Sequence, residues 1–183
     1  GSKAEIVENI NRDVAGVFAK LGSDGSISLS NDTGLSITVA GNNVQNAGLV
    51  SDTYHGFVSL SSVDDKEIEI GNTSSGTAAD VFAMGYNLMD GADKIVGASI
   101  NSTLGGITQS ELSILATDKV TINGVELGAV TGTSAADKAF AINSISEETG
   151  VTATATTEVV YSVQLSSGAA GTALTINGVA VTG

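Results

Sequence analysis

One pentapeptide occurs twice in this chain, as Thr121-Ile122-Asn123-Gly124-Val125 and Thr175-Ile176-Asn177-Gly178-Val179. An Asn-Gly pair between apolar residues is a strong hairpin signal, because the tight two-residue turn that joins antiparallel strands needs positive φ at both central positions. A second pattern also recurs: Asn9-x6-Gly16-Val17-x-Ala19 and Asn143-x6-Gly150-Val151-x-Ala153, each with a helical segment leading into an apolar strand. A chain built this way repeats a unit of strand, helix, strand and hairpin, so it reads as architecture before chemistry.

The helices are legible from their apolar spacing. Ala4 to Ala15 carries Ile6, Ile10 and Val14 at i, i+4 positions with Val7 beside them, opposite Glu5, Glu8, Asn11 and Arg12, and ends at Gly16. Ala135 to Thr149 starts with a capping-box pattern at Ser134 and Asp137, is expected to turn Phe140, Ile142 and Ile145 to the core, and stops at Gly150. Three alternating runs, Ser26 to Ala40, Phe57 to Asn72 and Tyr161 to Ile176, read as hairpins, the second pairing Val58 and Leu60 with Ile68 and Ile70 across Asp64-Asp65. Thr77 to Gly85 and Thr108 to Ala116 read as short helices, and residues 86 to 107 as loop with one strand, Lys94 to Ile100.

The expected fold class is therefore α+β and β-rich, two small modules each of antiparallel hairpins with one packed helix. The expected division is 1–75 for the first module, 76–118 for an irregular insert, and 119–183 for the second module plus the first strand of a further repeat. In three dimensions the strand Leu174 to Val181 is expected to complete the first module beside the N-terminal helix.

Composition narrows the partners. With 20 acidic against 7 basic residues the formal charge is -13, which repels nucleic acid and anionic membrane surfaces. Cysteine is absent, so neither disulfides nor a thiolate site is available. No run of about 18 apolar residues could span a bilayer as a helix. Gly1-Ser2 reads as a cloning remnant, and the chain is expected to be a piece of a longer protein.

Candidate chemistry is sparse. His55 is the single histidine, which rules out an H-E-x-x-H zinc site, and Tyr54-His55-Gly56 reads as a strand-entry loop. The acidic pairs Asp64-Asp65, Glu147-Glu148 and Asp90 with Asp93 lack the order of a calcium loop and read as solvated turns or helix surface. Gly22-Ser23-Asp24-Gly25 and Gly105-Gly106 lack the Lys-Ser/Thr of a phosphate loop. Asn9 and Asn143 are expected to bond backbone groups where helix passes into strand. Sequons begin at Asn31, Asn72 and Asn101. No catalytic, cofactor or metal residue is expected.

Thr-Ile-Asn-Gly-Val, a helix containing Ile142-Asn143, and Gly-Val-x-Ala together resemble the flagellin "IN" motif, found in the variable middle region of bacterial flagellins and in hook-associated and filament-cap proteins. The likeness covers about 119 to 167 well, 4 to 41 in part, and 173 to 183 as a fragment. Its motif residues here are Ile122, Asn123, Gly124, Asn143, Gly150 and Val151, with Asn9 and Gly16 in the first copy and Ile176, Asn177 and Gly178 in the last. The long coiled-coil heptads of a flagellin filament core are missing. The resemblance thus implies a structural, non-enzymatic outer domain on an extracellular bacterial filament used in motility, with other flagellin subunits as partners through regions outside this chain. It further implies contacts with host surfaces or antibodies, a monomeric isolated fragment, and glycosylation candidates at Thr73, Ser74, Ser75, Ser102 and Thr103. The rivals are a cap or hook-associated protein and a non-flagellar adhesin or surface-layer module.

Overall fold

The computed structural model describes residues 2–42, 50–73, 75–86, 89–101, 112–161 and 173–181. In chain order the elements are α1 (Lys3–Asp13), β1 (Phe18–Leu21), β2 (Ile27–Asn31), β3 (Ile37–Asn42), β4 (Asp52–Ser62), β5 (Ile68–Asn72) and α2 (Ala78–Ala83). There follow β6 (Met89–Ala92), β7 (Lys94–Val96), β8 (Ile100–Asn101), β9 (Val120–Ile122) and β10 (Val125–Glu126). The last are α3 (Ala135–Ser144), α4 (Ser146–Thr149), β11 (Val151–Tyr161), β12 (Ala173–Ile176) and β13 (Val179–Val181). The fold is α+β and β-rich, and its sheets are antiparallel.

Two compact units share these elements. Unit 1 holds Gly1–Asn31, Ser36–Tyr54 and Thr157–Gly183; unit 2 holds Asp32–Leu35 and His55–Thr156. The chain therefore divides otherwise than into the contiguous spans 1–75, 76–118 and 119–183. Two long strands, β4 and β11, give their first and last residues to different units. Within β4 the one residue at positive φ is Gly56, at +79 beside the division.

In unit 1, β1 pairs β2, which pairs the end of β11 from Thr157 to Tyr161. A second set runs from the start of β4 through β3 and β12 to β13. The C-terminal hairpin β12–β13 thus adds to β3, and β13 packs beside α1. Helix α1 begins in a capping box, Glu5 N–H donating to Ser2 Oγ at 3.2 Å and Ser2 N–H to Glu5 Oε2 at 2.6 Å. Its apolar stripe meets both strand sets: Ile10 and Val14 are buried with Ile27, Leu29, Ile37, Val39, Leu174 and Ile176. Full burial of each large aliphatic chain contributes roughly 1.5–3 kcal/mol.

Unit 2 repeats the plan. The start of β11, Val151 to Thr156, pairs β4 from Phe57 to Ser62, and β4 pairs β7. The second set runs β6, β5, β9, β10. Ile142 of α3 is buried with Val58, Leu60, Ile68, Ile70, Val120, Ile122 and Val151. The buried quartet Val58, Leu60, Ile68 and Ile70 has the spacing of Ile27, Leu29, Ile37 and Val39 in unit 1.

This topology corrects the hairpins. Strands β2 and β3 do not pair with each other, nor do β4 and β5; each couple passes from one strand set of its unit to the other. Alternation assigns a buried face to a strand but names no partner. The third expected hairpin is also replaced, since β12 pairs β13 and β3, while residues 162–172 lie outside the described residues. Phe140 is a further correction: it is 78% exposed, because the core face of α3 is Ala135, Lys138, Ala139 and Ile142. Ile142 lies buried and Ile145 packs partly against the core, as the spacing predicts. His55 lies inside strand β4 and is buried, not in an entry loop. Of Thr108 to Ala116 only the end is described, and there Ile114 makes an isolated bridge to Val130. Within the expected short helix Thr77 to Gly85 lies α2, with Thr77 at its N-cap position.

Candidate functional site

The motif residues converge on two kinds of junction, each built once per unit. In the first, an asparagine on the helix bonds the peptide of the following strand from both sides. Asn143 Nδ2 donates to Ala153 O at 2.9 Å, and Ala153 N donates to Asn143 Oδ1 at 2.8 Å. In unit 1 the same pair forms between Asn11 and Ala19, at 2.9 and 2.7 Å. Asn11 does this, not Asn9, onto which the seven-residue register falls. The span from asparagine to alanine is eight residues in unit 1 and ten in unit 2, and unit 2 accommodates the difference with the extra helical turn α4. The signal that finds Asn11 is the dipeptide Ile10-Asn11, repeated as Ile142-Asn143. Gly16 and Gly150 both take positive φ at the passage, +75 and +69.

The second junction is the Asn-Gly turn. Asn123 and Asn177 both have φ +50, and Gly124 and Gly178 both have φ +79, as a two-residue turn demands. Each asparagine carries its ladder one residue further. Asn123 N donates to Glu69 O at 2.9 Å while Glu69 N donates to Asn123 Oδ1 at 2.8 Å. Asn177 does the same with Thr38, at 2.8 Å in both bonds. Asn123 Nδ2 also donates to Thr149 O at 2.8 Å, tying hairpin to helix end. Ile122 and Ile176 beneath the turns are buried, as is Val151.

Other polar groups serve packing. Lys138 is 2% exposed and its Nζ donates to Ala83 O at 2.5 Å, at the end of α2; burial pulls the ammonium down to about 8. No periodicity rule foretells a lysine there. Tyr86 donates to Val58 O at 2.5 Å, and burial pushes its phenol well above the usual range. Asn31 is buried and donates to Gly16 O at 2.6 Å, so the first sequon is not open to a glycan. Thr73 and Ser75 are exposed but bonded: Thr73 Oγ1 donates to Glu126 Oε1 and Ser75 Oγ to Thr117 O, both at 3.1 Å. Ser74, Ser102 and Thr103 lie outside the described residues.

Two surface cavities belong to unit 2. One of about 650 Å³ is lined by Asp64, Glu67, Glu69, Glu147 and Glu148 with Lys66; Asp64 is held below the usual carboxylate range by bonds from Lys66 and Ser62. Among the described residues no group of three or more His, Asp or Glu could hold a metal ion. The other, about 330 Å³, lies between Phe140 and the loop 128–132. His55 and the acidic pairs are not brought together into a nucleophile–base set in either. No protein family, curated protein or solved structure matches the chain.

Proposed function

We propose that this chain is the surface-exposed, variable outer domain of a bacterial flagellin, contributing to the exterior of the filament rather than catalysing a reaction. The reading is carried by one observation. Residues that resemble the flagellin "IN" motif build three of the four junctions, Asn143–Ala153, Asn123–Glu69 and Asn177–Thr38, and in the fourth Asn11 bonds Ala19 two residues beyond the motif position Asn9. A motif used in this way is scaffolding, since the amide groups that would otherwise meet a ligand are consumed by backbone. The formal charge of -13 fits a displayed module, because mutual repulsion keeps dense arrays of identical surfaces soluble. Partner subunits would engage through regions outside this chain, and contacts with host surfaces or antibodies would fall on its exposed loops.

Immunogold electron microscopy of the producing cells, with antibody raised to this chain, tests the proposal. Label along whole filaments is the expected result. Label confined to tips or hook junctions would move the assignment to a cap or junction protein, and label elsewhere on the cell would overturn the flagellar reading.

A further inference from the structure

The chain contains two Asn-Gly steps, Asn123-Gly124 and Asn177-Gly178, and both lie in the same pentapeptide and the same kind of turn. Asparagine before glycine carries its own electrophile and nucleophile. The glycine nitrogen can attack the asparagine Cγ, because glycine has no side chain to crowd the approach. Among the described residues neither Gly124 N nor Gly178 N donates a hydrogen bond, and a Cβ added at either glycine would meet nothing within 4 Å. The nucleophile is therefore open to water in both turns.

The two electrophiles differ. Asn123 is held at both ends of its carboxamide, Oδ1 accepting from Glu69 N and Nδ2 donating to Thr149 O, each at 2.8 Å. Thr149 belongs to α4, the helical turn that the shorter passage of unit 1 does without. Asn177 Oδ1 accepts from Thr38 N at 2.8 Å, but its Nδ2 donates to no protein group among the described residues, and Asn177 is exposed where Asn123 is half-buried. To reach the glycine nitrogen, the Asn123 side chain must break two bonds and the Asn177 side chain one.

We propose that Asn177-Gly178 is a site of spontaneous deamidation, and that Asn123-Gly124, identical in its neighbours, is shielded by the bond to Thr149. Gly178 N gives up its proton to hydroxide and bonds to Asn177 Cγ. The Cγ–Nδ2 bond then breaks, and the amide leaves as ammonia with a proton taken from water. Water opens the cyclic imide at one carbonyl or the other, giving aspartate or isoaspartate. Aspartate keeps the acceptor for Thr38 N. Isoaspartate routes the main chain through the former side chain and adds a methylene to the turn, so the bond pair with Thr38 is lost and β12–β13 loosens from β3. Ageing by this route falls on unit 1 and spares unit 2, wherever the protein is displayed.

The test incubates the whole chain at mildly alkaline pH, folded and in urea, and follows both turns by peptide mapping with mass spectrometry that separates aspartate from isoaspartate. In urea the two sites should react at equal rates, since Thr-Ile-Asn-Gly-Val surrounds both. In the folded chain, product at Asn177 should accumulate roughly two- to tenfold faster than at Asn123, the weight of one net hydrogen bond. Folded chains carrying isoaspartate at this position should also exchange the Thr38 amide faster than unmodified ones. Equal rates at the two turns of the folded chain, or a faster Asn123, would overturn the shielding. A folded chain that stays intact at Asn177 while the urea sample reacts would overturn the site itself.

Discussion

Units 1 and 2 are the same design with different surfaces. Aligned on Ile10-Asn11 and Ile142-Asn143, Ile6 of α1 stands opposite Lys138 of α3, and Glu8 opposite Phe140. The junction asparagines keep their bonds to within about 0.1 Å across the two units while these helix positions change character. The difference teaches which residues the architecture needs. Peptide groups left by a strand edge or a turn must find partners, and a short amide in the right place supplies both donor and acceptor. Positions that only fill volume or face water are free to drift.

The comparison is sharpest where its loss would cost most. Ile10→Ala and Ile142→Ala each remove a fully buried side chain beside a junction, and each should cost about 2–5 kcal/mol in urea unfolding. If one costs almost nothing, the two cores are not equivalent. Next comes Lys138, where the units differ most inside. Its ammonium, lowered from 10.5 to about 8 by burial, is protonated in both folded and unfolded chain below pH 8, and its burial then weighs fully against folding. Between pH 8 and 10.5 the folded chain releases that proton while the unfolded chain keeps it, so stability should rise with pH, by up to about 3 kcal/mol. Lys138→Met should remove that rise. Denaturant titrations at pH 7 and 10 measure it, and equal pH dependence in the variant would assign the rise to other groups.

Smaller effects separate the turns. Asn123→Gly and Asn177→Gly both tolerate positive φ, so the variants isolate the side-chain bonds. Asn123→Gly should be the costlier, about 1–3 kcal/mol, because its amide also holds Thr149 O. A larger loss in Asn177→Gly would show that the helix tie carries no weight. Smallest is Phe140→Glu, which gives unit 2 the residue that unit 1 has at this exposed place; stability should move by less than about 0.5 kcal/mol in thermal melts.

Much of this was readable beforehand because the physics involved is local. Asn-Gly turns, the Ser134 cap and the stripe Ile6, Ile10, Val14 depend on residues within a few positions of one another. Asn143 was legible as a backbone-bonding residue, whereas in unit 1 the role falls to Asn11, since a shorter helix-to-strand passage changes the register by two residues. Phe140, expected in the core, is exposed and Lys138 is buried because a helix of mixed composition offers two faces, and the sheet beneath selects one. The apolar spacing of Val58, Leu60, Ile68 and Ile70 marked buried strands, yet their partners were β11 and β9 rather than each other.

The amino-acid sequence alone determined the helices α1 and α3, the Asn-Gly turns and the fact of repetition, because φ preference, capping and apolar period act over a few residues. Only the tertiary structure decided which strands these distant segments pair with, β12–β13 on β3 and the start of β11 on β4. Strand pairing joins backbone groups that every residue carries, so partner choice is set by which buried faces meet, and that is a property of the folded whole.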